Sequence, residues 1–148
     1  TRIALSALRA REVSLVCGGQ PVVSDRGNLA SAVDLVGTCR DGTELVLIEL
    51  KTGYAGGRLD PAMADGTPQR MRPPLSRALD CLAHRHLSQL AATVAMFVSD
   101  RAMMRELTSV GVSTVSGILV YVTDTDVEVI ELTEWWKKRG SGLVRALK

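Results

Sequence analysis

Aromatic residues are scarce in this chain: one Phe, two Tyr and two Trp among 148 residues. A platform of interleaved aromatics on which nucleobases stack is therefore not expected. Cysteine is also sparse. Cys17, Cys39 and Cys81 stand far apart with no CxxC spacing. This odd count argues against a disulfide framework or a zinc site, and for a reducing, intracellular compartment. No apolar run approaches the length of a transmembrane helix, so no membrane partner is expected. Acidic residues stop at Glu134, while Lys137, Lys138, Arg139, Arg145 and Lys148 follow. Internal repeats and low-complexity stretches are absent. A start at Thr1 rather than Met reads as a processed chain or a fragment, which puts any targeting segment out of view.

What is present is ordinary globular composition, with 46% hydrophobic and 23% charged residues. The length suits one domain with a real core. A net charge of +2 permits a nucleic-acid partner without demanding one. A second basic stretch runs through Arg58, Arg70, Arg72, Arg77 and Arg85. Such runs also occur as plain solvated faces.

The spacing predicts a helix over 2–12 and a strand over 13–17. Gly18-Gly19 and Pro21 predict a turn, with a further extended piece at Val22-Val23 and a loop over 25–28. Two extended runs, 30–39 and 44–51, flank Arg40-Asp41-Gly42-Thr43, and Asp-Gly between strand-like runs predicts a hairpin. Residues 53–74 lack periodicity and read as a long loop. Helical periodicity over 75–98 is followed by a short helix over 101–108. Strands over 114–123 and 127–132 come next, with Thr133 opening a short terminal helix. The order predicts an α/β fold with a central mixed sheet flanked by helices.

The hairpin carries the chemistry. If Asp41-Gly42 is a two-residue turn, Asp34 falls directly opposite Glu49, with Cβ atoms roughly 4.5–5.5 Å apart. Lys51, two residues beyond Glu49, shares that face. Both acids sit in apolar runs, Ala32-Val33-Asp34-Leu35-Val36 and Leu47-Ile48-Glu49-Leu50-Lys51. A partly buried, mutually repelling acid pair needs a neutralising partner, and oxygen ligands suit Mg²⁺ or Mn²⁺. The repulsion predicts that removing Asp34 relieves strain. The bland alternative is a solvated sheet face with Lys51 as a salt-bridge partner, which is common on edge strands.

The set Ala32-Val33-Asp34-Leu35-Val36-Gly37, Asp41-Gly42 and Ile48-Glu49-Leu50-Lys51-Thr52-Gly53 resembles the PD-(D/E)XK nuclease superfamily, and within it the RecB-like and lambda-exonuclease-like branch. The resemblance implies a restriction-endonuclease-like core. It implies Mg²⁺ (or Mn²⁺) held by Asp34, Glu49 and the backbone carbonyl of Leu50, and Lys51 acting on the attacking water. That branch places a Gln-x-x-x-Tyr pattern on the following helix. Gln89 matches the Gln, while Thr93 stands where Tyr is expected, and Gln89 also reads as a surface glutamine. An upstream ligand common in the family has Glu12 as its only acidic candidate here, and Glu12 also reads as an end-of-helix residue. Asp25 is a rival to Asp34, but it sits in a loop signal.

Tyr54, Arg58, Arg70, Arg72 and His86 are candidates for contacting the nucleic acid. Tyr54 and His86 also read as packing residues. His84 and His86, two apart on a helix, do not share a face and so make poor joint metal ligands. Three functions remain open. One is a metal-dependent DNA nuclease, exonuclease-like, with RNA not excluded. Another is an inactive nuclease-fold module serving as a structural or nucleic-acid-binding part of a larger assembly or oligomer. The third is an endonuclease of restriction or junction-cutting type on the same site.

Overall fold

The computed structural model describes residues 2–24, 29–53 and 57–146. The order of elements is α1 (Arg2–Arg9), β1 (Ser14–Ser24), β2 (Leu29–Cys39), β3 (Glu44–Thr52), β4 (Met63–Ala64), β5 (Thr67–Pro68), α2 (Leu82–Ser99), α3 (Arg101–Ser109), β6 (Thr114–Val122), β7 (Val127–Glu131) and α4 (Glu134–Ala146). Five strands form one mixed sheet in the order β1-β2-β3-β6-β7, and β4-β5 form a small separate ladder. The fold is α/β, as the order of elements in the sequence predicts.

β3 is the spine of the sheet. Glu44 through Glu49 are all buried, because helices cover both faces of the strand. Leu45, Leu47, Leu119 and Tyr121 pack with Leu87, Leu90, Ala91 and Val94 of α2 and Trp136 of α4. Val46, Ile48, Ile118 and Val120 face the opposite way, against Ala4 and Leu8 of α1. Each such large apolar side chain, fully buried, contributes about 1.5–3 kcal/mol.

β3 runs parallel to β6 from Glu44↔Thr114 to Thr52↔Val122. A parallel pair needs a long crossover, and the chain between them, with α2 and α3, supplies it. On its other side β3 pairs antiparallel with β2, from Cys39↔Glu44 to Leu35↔Ile48. The turn has the register expected of Asp41-Gly42. Thr43 N–H donates to the Arg40 carbonyl at 3.1 Å, and φ is 56° at Asp41 and 86° at Gly42. Arg40 is left-handed too, at 52°, and the ladder closes at Cys39↔Glu44, so the turn is longer than the expected two residues while keeping their register.

Four expectations change. Gly18-Gly19 and Pro21 do not break the chain but lie inside β1, which is continuous with a bulge between Leu15 and Cys17. β1 is an edge strand, where a proline and a bulge are tolerated. The long helix begins at Leu82, not Leu75. Residues 69–71 and 78–80 instead pair by backbone, with Met71 N–H on Ala78 O and Asp80 N–H on Gln69 O. Leu75 is buried from this loop, so its helical spacing with Leu79 is coincidental. α1 ends at Arg9, and Glu12 follows in a turn with φ 58°. The terminal helix is longer than expected because it docks along α2, burying Trp136, Gly140 and Val144.

That docking rests on one glycine. A Cβ on Gly140 would overlap the Ala91 carbonyl oxygen and lie 2.6 Å from its carbonyl carbon, both backbone atoms of α2. Gly142 has room, since its Cβ would meet Pro74 Cγ at 3.7 Å. Gly140→Ala is therefore expected to destabilise the protein by roughly 1–3 kcal/mol or more through overpacking. Gly142→Ala should stabilise it by about 0.5–1 kcal/mol through helix propensity. Urea unfolding midpoints at constant slope check the opposite signs.

Candidate functional site

The β2–β3 ladder ends at Leu35↔Ile48, one pair short of Asp34 and Glu49. Val33 and Val36, three residues apart, both enter the core under α2, so the two-residue alternation of β2 breaks between them. β2 departs at this point and leaves a fork beside β3. The Asp34 carboxylate fills it, with Oδ2 accepting the Leu50 N–H at 2.7 Å. The side chain thus supplies the acceptor that the departing backbone no longer provides. This corrects the expected picture of two acids side by side on a buried face. Glu49 is 7% exposed, whereas Asp34 is exposed and turned toward the β3 backbone.

Glu49 and Lys51 point to the α2 side of the sheet. Glu49 Oε1 accepts from Lys51 Nζ at 2.6 Å and from Gln89 Nε2 at 3.3 Å. Asp34, Glu49, Lys51 and Gln89 are thus brought together from β2, β3 and α2. They lie toward the carboxyl end of the parallel β3–β6 pair, the end where open α/β sheets bind their ligands.

His86 lies one turn before Gln89 on α2. Its Nδ1 is 2.8 Å from the hydroxyl of Tyr121, the residue paired with Lys51 across the parallel ladder. Burial, and then the nearby Lys51 charge, hold the His86 pKa below its ordinary value. The imidazole is therefore mainly neutral at pH 7. The Arg58 guanidinium sits 4.6 Å from the centre of the Tyr121 ring and forms an ion pair with Glu128. Tyr121 and Glu128 escape a sequence reading. The one available signal is a phenol inside the apolar run Ile118-Leu119-Val120-Tyr121-Val122.

Other candidates lie elsewhere. Arg70 and Arg72 are exposed, and Arg70 donates to the Arg77 carbonyl at 2.8 Å. Among the described residues neither has a hydrogen bond or ion pair to the cluster. His84 points away from His86, toward the Leu79 carbonyl at 2.9 Å and the Trp136 ring. Thr93, standing where the resemblance implies Tyr, is buried. It donates to the Gln89 carbonyl at 3.0 Å, and its hydroxyl is 2.8 Å from that of Ser31 on β2. Tyr54 and Asp25 fall outside the described residues.

A cavity of about 420 Å³ opens at the other end of the central strands, lined by Arg40, Glu44, Glu131, Glu134 and Lys137 among others. Most of its charges are matched internally, with Arg40–Glu44 at 3.1 Å and Lys137–Glu134 at 2.8 Å. The Cys39 thiol there is pushed up to about 11 by burial and by its hydrogen bond to Glu44, so it is not a reactive thiolate.

No protein-family model matches the chain, and no curated protein matches it. Solved structures similar to it include the crystal structure of SSO0001, at 18% identity and a TM-score of 0.35. The alignment covers 98% of this chain and 56% of that one, so the chain spans little more than half of that protein's length. A likeness at this TM-score carries no argument about function.

Because Asp34 is bonded to the Leu50 N–H, its removal should not relieve strain. Asp34→Ala is expected to lower stability by about 1 kcal/mol, the loss of one hydrogen bond at an exposed edge. Asp34→Asn retains an acceptor and should stay within about 0.5 kcal/mol of wild type. Thermal or chemical unfolding of the two variants checks this, and a more stable alanine variant would contradict the fork geometry.

Proposed function

We propose that the chain carries a restriction-endonuclease-like core and acts as a metal-dependent nuclease, hydrolysing phosphodiester bonds of DNA in an exonuclease-like manner. The observation that carries this reading is the convergence of Asp34, Glu49, Lys51 and Gln89 at the fork between β2 and β3.

The donor set fits a hard divalent cation such as Mg²⁺ or Mn²⁺. In an extended strand the N–H and C=O of one residue face the same side, so the Leu50 carbonyl shares the fork with the Asp34 carboxylate. Asp34, Glu49 and that carbonyl would hold the ion. Among the described residues no three His, Cys, Asp or Glu side chains converge, so the proposed set is two carboxylates and a carbonyl. A cation bound there supplies Lewis-acid polarisation of a phosphoryl oxygen and a more acidic bound water. Lys51 places an ammonium beside Glu49, where it orients the attacking water and offsets charge building on the phosphorane oxygens. Gln89 offers amide hydrogens to the same region. The neutral His86 adds no second charge next to Lys51 and offers hydrogen bonding to a phosphate oxygen.

A second reading has an observation of its own. The Lys51–Glu49 ion pair at 2.6 Å gives the buried carboxylate a partner without any metal. This favours an inactive module that has kept the fold as part of a larger assembly.

Labelled single- and double-stranded DNA, with RNA as a parallel substrate, separate the two. Cleavage should require Mg²⁺ or Mn²⁺ and stop in chelator. Lys51→Ala should lower the rate by about 100-fold or more while remaining folded by circular dichroism. Mononucleotide release rather than a ladder of internal cuts marks the exonuclease mode. Absence of cleavage with every substrate and metal would overturn the reading that this chain is a nuclease by itself, in favour of the inactive module or of a nuclease completed by a further segment or partner.

A further inference from the structure

We infer that a second, purely electrostatic nucleic-acid surface lies where α4 meets the loop before α2, outside the Asp34–Glu49–Lys51 cluster. The Cβ position of Gly142 on α4 lies 3.7 Å from Pro74 Cγ, so the terminal helix and the 66–79 segment touch there. Lys138, Gly142 and Arg145 are spaced i, i+4, i+7, which puts both cations on the stripe that meets Pro74. Arg139, three residues before Gly142, stays beside them, its guanidinium 5.6 Å from the centre of the Trp135 ring. From the loop come Arg72, two residues before Pro74, and Arg77, three after. Arg70 is tied to Arg77 by a hydrogen bond of 2.8 Å.

Two basic stretches far apart in sequence thus converge on one surface. Residues 66–79 and 135–146 contain no Asp or Glu at all. Of the flanking acids, Asp80 is paired with Arg85 at 2.7 Å and Glu134 with Lys137 at 2.8 Å, while Asp65 lies in the β4–β5 turn at the start of the loop. Among the described residues, none of the six cations has a carboxylate partner.

The chemistry selects a phosphate backbone over an acidic protein. Five of the six are arginines, whose planar fork matches phosphate oxygens two at a time. Large exposed apolar side chains, the usual anchors of a protein interface, occur at positions such as Leu15, Val16, Val23 and Val110, and none falls in either segment. The surface is also coupled to the proposed active site through one helix. Gly140 of α4 sits on the backbone of Ala91, two residues past Gln89 on α2. The inference rests on the nucleic-acid side of the proposed function, not on cleavage.

The test is binding of the whole chain, in chelator, to a fluorescein-labelled single-stranded oligonucleotide and to its duplex, by anisotropy across a salt series. A triple variant, Arg72→Ala with Lys138→Ala and Arg145→Ala, removes three exposed cations and should keep the wild-type unfolding midpoint. Its slope of log K against log salt should be shallower than wild type by about 2 for the single strand, at about 0.7 per phosphate lost. Lysine at positions 72 and 145 should preserve the slope. An unchanged slope in the alanine variant overturns the inference. So does displacement of the strand by polyglutamate as effective, charge for charge, as displacement by unlabelled DNA, which would assign the surface to an acidic protein. Since nothing is cleaved in this assay, an inactive fork leaves its outcome untouched.

Discussion

Nine consecutive residue pairs join β3 to β6 in parallel, and most of the molecule follows from that one alignment. Parallel neighbours need a crossover, so the chain must leave the sheet after Thr52 and return at Thr114 with α2 and α3 in between. The returning strand covers one edge of β3, β2 covers part of the other, and helices cover both faces. A strand enclosed along its middle can then present polar groups only at its ends. Glu44 stands at the entrance, paired with Arg40, and Glu49 and Lys51 stand at the exit, either side of the buried run Leu45-Val46-Leu47-Ile48.

The partial cover from β2 matters as much. Had β2 continued alongside β3, the Leu50 N–H would bond to a β2 carbonyl and no gap would exist. Its early departure opens a backbone position, and a carboxylate steps into it. The charge balance of the site is then local. Asp34 is stabilised by a peptide dipole, Glu49 by an ammonium and an amide, and Lys51 by Glu49. Each of the three has a partner within hydrogen-bonding distance, so the cluster is preorganised and does not depend on distant charges.

Much of this was legible in the residues. Asp41-Gly42 encodes its turn because a tight hairpin needs left-handed residues, and the turn sets the β2–β3 register. Apolar side chains on both faces marked β3 as central. Gln89 was singled out only by the resemblance to the nuclease branch, while the grouping of Asp34, Glu49 and Lys51 followed from that register. The fork did not, because the point where β2 leaves β3 is decided by other elements. Val22 packs with Ala95 and Met96 of α2, and Ser31 meets Thr93, drawing the far half of the hairpin over the helix. The helix start was hidden for a similar reason. Leu75 is as buried as a helical residue, but through a loop whose backbone bonds connect 69–71 with 78–80. Gly18-Gly19 and Pro21 carry turn chemistry, yet an edge strand tolerates them.

The half of the β1–β2 hairpin beyond Leu35 shares no rungs with β3. It is fastened to α2 and α4 by a small cluster around Val22, Ala95, Met96 and Val144, by one hydroxyl pair, and by Val33, which is buried in the main core under α2. Asp34 stands between Val33 and the last shared rung, Leu35↔Ile48. The acceptor it offers the Leu50 N–H is therefore anchored on one side by the ladder and on the other by the core. The fork inherits its rigidity from the packing of α2 on the sheet, and a loss of that packing is a loss of the fork.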